Sequence, residues 1–174
     1  MTLRIHLGLG SNLGERWAIL GRAVERLGAL DGGLVVSPVY ETAPVGGPPG
    51  QGAYLNAVVR LEADLAPAGV LELASALEAE AGRVRRERWG ARTLDVDVLF
   101  LDRAGATRWE PLRVDTARLR VPHPRALERA FVLAPLEDLT PGLVPSDWRR
   151  GPLGDALSTG AVRAVGEIVR VAAP

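Results

Sequence analysis

The run 94–101 does most to constrain the fold. It is apolar except at Asp95 and Asp97, so it reads as a strand. Strand side chains alternate between faces. Both carboxylates therefore point one way, with Leu99 and Leu101 continuing their row against Leu94, Val96, Val98 and Phe100. A surface strand would stay polar on the aspartate side, whereas this one turns apolar on both faces. It belongs inside a layered domain, with the two acids at the mouth where it emerges. Like charges there repel and lose hydration, which is costly for each ion unless something positive compensates. Arg83, Arg85, Arg86, Arg88 and Arg92 lie just upstream. A carboxylate pair beside an arginine cluster points to metal ions plus a polyphosphate. The alternative is that the arginines simply pair with the aspartates, Arg92 alone sufficing for Asp95.

All 21 basic residues are arginine, and 21 acidic residues balance them. Without lysine a Walker-type loop is excluded, and any phosphate must be gripped by guanidinium forks. A net charge of zero gives no support to a nucleic-acid partner. The chain has no cysteine, hence no disulfide or thiol chemistry, as in a reducing compartment. A first strand from Leu3 leaves no room for a signal peptide, and no apolar run reaches membrane length, so a cytoplasmic location off the membrane is expected. The 174 residues are expected to form one domain, 1–174, in which 145–174 is a weakly defined tail. Asn12, Asn56 and Gln51 are the only side-chain amides; in so sparse a set each is a candidate for a specific task.

Leu3, Ile5, Leu7 and Leu9 alternate with Arg4, His6 and Gly8 in a first strand. Gly10 to Gly14 is a turn, and a helix follows with Trp17, Leu20, Val24 and Leu27 on one face. Strands are predicted over 34–40 and 54–62, separated by a loop at 43–52 that reads as a lid or binding loop. Pro67 opens a second helix, with Val70, Leu73, Ala74, Leu77 and Ala81 inward, and Gly82 ends it. The order strand, helix, strand, strand, helix, strand predicts an α+β, ferredoxin-like split βαβ fold: an antiparallel sheet with helices on one face. It is extended by C-terminal elements that include a short helix near 126–136.

The spacing Gly8-x-Gly10-x-x-x-Gly14 does not fit a dinucleotide loop. Ser11 or Asn12 is expected to cap the helix. Tyr54 and Asn56 share a strand face, where an aromatic and an amide can stack on and bond a planar heterocycle; a core tyrosine beside a locally satisfied amide is the plainer alternative. Trp89, among arginines, reads as a lid over a ligand. Pro122 and Pro124 hold His123 between rigid neighbours, and His6 reads as a packed core histidine.

Together these stretches resemble the 6-hydroxymethyl-7,8-dihydropterin pyrophosphokinase family. The matching motifs are Gly10-Ser-Asn-Leu-Gly14, Ser37-Pro-Val-Tyr-Glu-Thr42, Tyr54-Leu-Asn56, Gly82-Arg-Val-Arg85, Arg88-Trp-Gly-Ala-Arg-Thr-Leu-Asp-Val-Asp97, Val121-Pro-His-Pro124 and Arg129-Ala-Phe131. They stand in family order over roughly 3–145. The resemblance implies transfer of a pyrophosphoryl group from ATP to a pterin alcohol in folate biosynthesis, with AMP released. It implies that Asp95 and Asp97 hold two Mg²⁺ ions, and that Thr42, Val45, Tyr54, Asn56, Trp89 and Phe131 form the pterin pocket. Glu78, Arg83, Arg85, Arg88, Arg92, Arg118, His123 and Arg129 would surround ATP. Arg83, Arg92, Asp95 and Asp97 would carry catalysis, with Asp97 assisting deprotonation of the attacking hydroxyl. Ser75, Arg120 and Pro124 depart from the family's Gln, Thr and Tyr near the nucleotide, and Ala43 replaces a frequent Pro. The loops 43–52 and 83–92 are expected to close together over the substrates. A monomer is expected, with a weak homodimer as the alternative. Two other functions stay open: another Mg²⁺-dependent phosphoryl or nucleotidyl transferase on the same sheet, and a non-catalytic ferredoxin-like ligand-binding or RNA-binding module. The RNA reading would want more aromatics and a basic face.

Overall fold

The computed structural model describes residues 1–30, 33–44, 48–83 and 90–168. Its central strand is β1 (Thr2–Ser11), which pairs antiparallel with β4 (Tyr54–Asp64) on one side and with β5 (Asp95–Ala104) on the other. Outside β4 lie β3 (Val39–Thr42) and then β9 (Val162–Gly166); outside β5 lies β6 (Trp109–Leu112). The sheet order is thus β6-β5-β1-β4-β3-β9, with β2 (Val35–Val36) also on β4. A separate ribbon pairs β7 (Val114–Asp115) with β8 (Arg120–Val121). The described residues also form four α-helices, α1 (Arg16–Gly28), α2 (Pro67–Glu80), α3 (Ala130–Leu139) and α4 (Pro152–Ser158), and three short 3-10 turns. The domain is α+β with an antiparallel sheet, consistent with the ferredoxin-like order expected. None of these helices is long and apolar enough to cross a membrane.

The strand predicted over 34–40 is split. Pro38 has no N–H to offer a ladder, and Ser37 bridges the gap: its N–H donates to the Val58 carbonyl and its Oγ accepts from Val58 N, both at 2.9 Å.

The sheet is covered on both faces, not on one. Leu3, Ile5, Leu7 and Leu9 pack with Leu20, Val24 and Leu27 of α1 and with Val70, Ala74 and Leu77 of α2. On the opposite face Val58, Leu99 and Phe100 pack against Val132 and Leu136 of α3. Strands with apolar residues on both faces need a second layer, and α3, buried from Val132 to Leu136, supplies it. Trp17 falls at the edge of the α1 stripe and is 42% exposed, so it is no core residue.

The alternation along β5 holds only to Leu99. Leu7 pairs with Val98 but His6 pairs with Phe100, leaving Leu99 as the extra residue of a bulge. Phe100 therefore joins the α3 side and Leu101 the α1/α2 side, the reverse of the simple expectation. The Leu99 carbonyl accepts the His123 N–H at 2.9 Å, so the bulge also anchors the segment that carries His123.

His6 is a core histidine as expected, fully buried, with Nε2 3.1 Å from Thr140 Oγ1 and its ring edge-on to Phe100. Burial, reinforced by Arg60 and Arg4, lowers its pKa from 6.5 to about 4. Between those values the unfolded chain binds a proton that the folded chain refuses. Stability is therefore lost as pH falls from about 6.5 toward 4 and levels off below. His6→Gln should remove about 2 kcal/mol of the decline in urea-unfolding free energy between pH 7 and 4.5. Parallel pH profiles for the two proteins would refute the assignment.

Candidate active site

A cavity of about 640 Å³ opens on the α3 face of the sheet, within the range of small-molecule sites. Its floor is made by what β1 lacks. Gly8 and Gly10 pair with Asp97 and Asp95 on one side and with Val58 and Asn56 on the other. A Cβ at Gly10 would stand 3.2 Å from Asn56 Oδ1, 3.7 Å from Tyr54 Cδ1 and 3.9 Å from the Asp95 Cβ. Any side chain there would fill the space between the acids and the amide, so glycine keeps the central strand flush with the cavity.

The acidic end is a charge network. Both aspartates share the cavity face, as the strand period requires, with side chains 24% and 33% exposed. Arg83 reaches Asp95 Oδ1 at 2.9 Å and Arg92 reaches Oδ2 at 2.5 Å. Arg83 also pairs with Glu78, whose buried carboxylate accepts the Val96 N–H at 3.0 Å. This fold-back is possible because Gly82 leaves α2 with φ +69°, the left-handed conformation that glycine supplies at a helix end. Arg129 lies 3.3 Å from Asp97 Oδ2, and His123 Nε2 lies 3.9 Å from Oδ1. Desolvation, then the Asp95 charge, raises the Asp97 carboxyl above its ordinary range. Burial lowers the His123 imidazole, against the pull of Asp97. Arginine pairing, the simpler of the two sequence readings, is thus present at both aspartates. Among the described residues no group of three or more metal-ligating side chains forms.

The opposite end is neutral. Asn56 Nδ2 donates to Thr42 Oγ1 at 2.9 Å, and both residues are buried. Tyr54 and Phe131 contribute rings to the walls, and the Arg129 guanidinium stands 5.5 Å over the Phe131 ring. The cavity therefore unites Thr42, Tyr54, Asn56, Arg92, Asp95, Asp97, Arg129 and Phe131. Arg83 and His123 touch it through the aspartates. Glu78 stands behind Arg83, and Arg118 is exposed in the turn between β7 and β8, where its N–H bonds Thr116 Oγ1. Val45, Arg85, Arg88 and Trp89 lie outside the described residues.

Two contributions were not anticipated. Within the described part of the tail, 145–168, the chain forms α4 and β9, and Leu153, Ala156, Ala161 and Val162 line the cavity's far side. Bonds from Trp148 Nε1 and Arg149 Nε to Glu137, at 3.1 and 2.8 Å, tie this segment to α3. Small apolar residues carry no chemical motif, so only the β3–β9 pairing reveals their place. The second is Asn12. It does not cap α1, whose N-cap is Glu15 with no side-chain bond; its signals in the sequence are the scarcity of amides and its place in the Gly10-to-Gly14 motif.

The family model described as 7,8-dihydro-6-hydroxymethylpterin-pyrophosphokinase matches residues 6–141. Curated relatives carry the name 2-amino-4-hydroxy-6-hydroxymethyldihydropteridine pyrophosphokinase. The chain is similar to that of Methylorubrum extorquens, 45% identical over 81% of this chain and 85% of the relative. It is similar to the Pseudomonas aeruginosa protein at 41%, over 87% and 90% respectively. Against the Bacillus subtilis protein the identity is 42%, over 77% and 76%.

The placement of Glu78 is checked by stability. Glu78→Leu leaves Arg83 with one partner and the Val96 N–H with none, and should lower the urea-unfolding free energy by about 3 kcal/mol. Arg118→Ala should change it by less than about 0.5 kcal/mol. Equal effects would contradict the geometry.

Proposed function

The chain belongs to the 7,8-dihydro-6-hydroxymethylpterin-pyrophosphokinase family, and from that membership we propose how its cavity works. The enzyme transfers pyrophosphate from ATP to the hydroxymethyl group of 6-hydroxymethyl-7,8-dihydropterin in folate biosynthesis, releasing AMP. The observation that carries the assignment of roles is the continuity of one cavity across the glycine floor. Asp95 on β5, Gly10 on β1 and Asn56 on β4 are successive partners, so acid and amide stand two strand intervals apart, roughly 10 Å. A two-ring heterocycle with its hydroxymethyl arm spans that gap. Asn56 and Thr42 bond the pyrimidine edge, and Tyr54 and Phe131 flank the ring faces, with Val45 and Trp89 completing the pocket. The hydroxyl then points at the acidic end.

At that end Arg83, Arg92, Arg129 and His123 orient the triphosphate, with Arg85, Arg88 and Arg118 as further cationic contacts and Glu78 acting through Arg83. The pterin oxygen attacks the β-phosphorus in line. The new O–P bond forms as the bridge between the α- and β-phosphates breaks, and AMP leaves with that bridging oxygen. Asp97 assists removal of the hydroxyl proton. Positioning and charge neutralisation do most of the work in such transfers.

The residues present fit magnesium. Among the described residues, Glu78, Asp95 and Asp97 already balance Arg83, Arg92 and Arg129, so those three arginines alone leave the charge of a bound triphosphate without an offset. Two carboxylates on one strand face are hard oxygen donors, and magnesium commonly takes only one or two protein carboxylates together with phosphate oxygens. Asp95 and Asp97 would hold two Mg²⁺ ions, which supply charge neutralisation on the phosphates. Arg83 and Arg92, which hold Asp95 here, would be free to bond the phosphate oxygens. We read the fold as the ferredoxin-like split βαβ arrangement in one domain of 1–174. It acts as a cytoplasmic monomer on pterin and ATP, with no nucleic-acid partner.

Incubation with ATP, Mg²⁺ and the dihydropterin should yield AMP, and Asp95→Ala or Asp97→Ala should reduce kcat by about 10³-fold with cooperative unfolding retained. Formation of ADP, or near-normal rates in either variant, would refute the scheme.

A further inference from the structure

We propose that Asn12 is a positioning residue that holds both the pterin-side wall of the cavity and its phosphate-side wall in place, an inference that rests on the roles assigned above. β1 lies between β4 and β5 and runs antiparallel to both. Both neighbours therefore begin at the end where β1 finishes, and the first residue beyond β1 stands between the two segments that enter them. That residue is Asn12, 7% exposed.

Its bonds divide between the two segments. Nδ2 donates to Gln51 Oε1 at 3.2 Å and to the Gly52 carbonyl at 3.3 Å, ahead of β4. Oδ1 accepts the Arg92 N–H at 2.7 Å, and the Asn12 N–H donates to the Arg92 carbonyl at 3.1 Å, ahead of β5. A backbone donor on one side and a backbone acceptor on the other fix which way the amide points, so its orientation follows from the surrounding main chain. Both partners line the cavity: Gln51 continues the wall that carries Thr42 and Tyr54, and Arg92 holds Asp95. One buried side chain thus anchors both segments, the one ahead of β4 through its amide donor and the one ahead of β5 through its acceptor.

The test is a split between the two KM values, read in the full-length enzyme by AMP formation. Asn12→Ala should raise KM for the dihydropterin and for ATP each by about tenfold. Gln51→Ala should raise the pterin KM alone, and Asn12→Ala with Gln51→Ala should be no worse for pterin than Asn12→Ala by itself. Asn12→Asp keeps the acceptor for the Arg92 N–H and loses the donor, so it should return the ATP KM to within about twofold of the parent while the pterin KM stays raised. A residue that merely stabilised the fold would shift both constants together in every variant. The proposal is overturned if Asn12→Asp fails to separate the two constants, if the double variant is additive, or if Asn12→Ala leaves both within twofold. Should Asn12→Ala not fold, Asn12→Asp and Gln51→Ala decide the matter alone. Absence of AMP formation by the parent enzyme would instead overturn the roles on which the proposal rests.

Discussion

Two carboxylates on one face of β5, held partly out of water, are tolerable only because guanidinium groups reach them from three directions. Arg83 arrives from the end of α2, Arg92 from the segment entering β5 and Arg129 from the start of α3. Much of the local architecture serves that meeting. The left-handed turn at Gly82 folds Arg83 back, Glu78 neutralises it from behind, and the bulge at Leu99 brings His123 to Asp97. Arginine suits the task where lysine would not, since one planar fork can bond a carboxylate now and a phosphate later with the same geometry. The network of alternating charges pairs each of these arginines with a carboxylate.

The glycine floor gives that network its use. Charged side chains crowded at a strand mouth would ordinarily close over each other, but Gly8 and Gly10 leave an open strip from the acids to Asn56. The cavity then continues beyond Thr42 to its β9 partner Val162 and to Leu153 and Ala156 of α4. These residues lie past the 6–141 stretch that the family model matches, so the far wall is set by the part of the chain least constrained by the family pattern.

Local chemistry was legible in the sequence, and longer-range geometry was not. The period of β5 placed Asp95 and Asp97 together correctly, and the element order to β5 followed from apolar spacing and from Gly and Pro. Tyr54 and Asn56 shared a face as expected. Phe100 and Leu101 were misplaced because a bulge depends on the partner strand and on the carbonyl that His123 needs, neither visible in the run 94–101. The second helical layer was missed because α3 is apolar nearly all round and so betrays no direction. Asn12 resembled a cap since a cap and a bridge call for the same residue type; only the positions of Gln51, Gly52 and Arg92 separate them.

The proposed exchange of partners at Asp95 is open to direct observation. A crystal structure with Mg²⁺, a non-hydrolysable ATP analogue and the dihydropterin should show Asp95 and Asp97 as magnesium ligands, with Arg83 and Arg92 moved onto phosphate oxygens. Aspartates still clasped by those arginines, with nucleotide bound and no metal between, would contradict it.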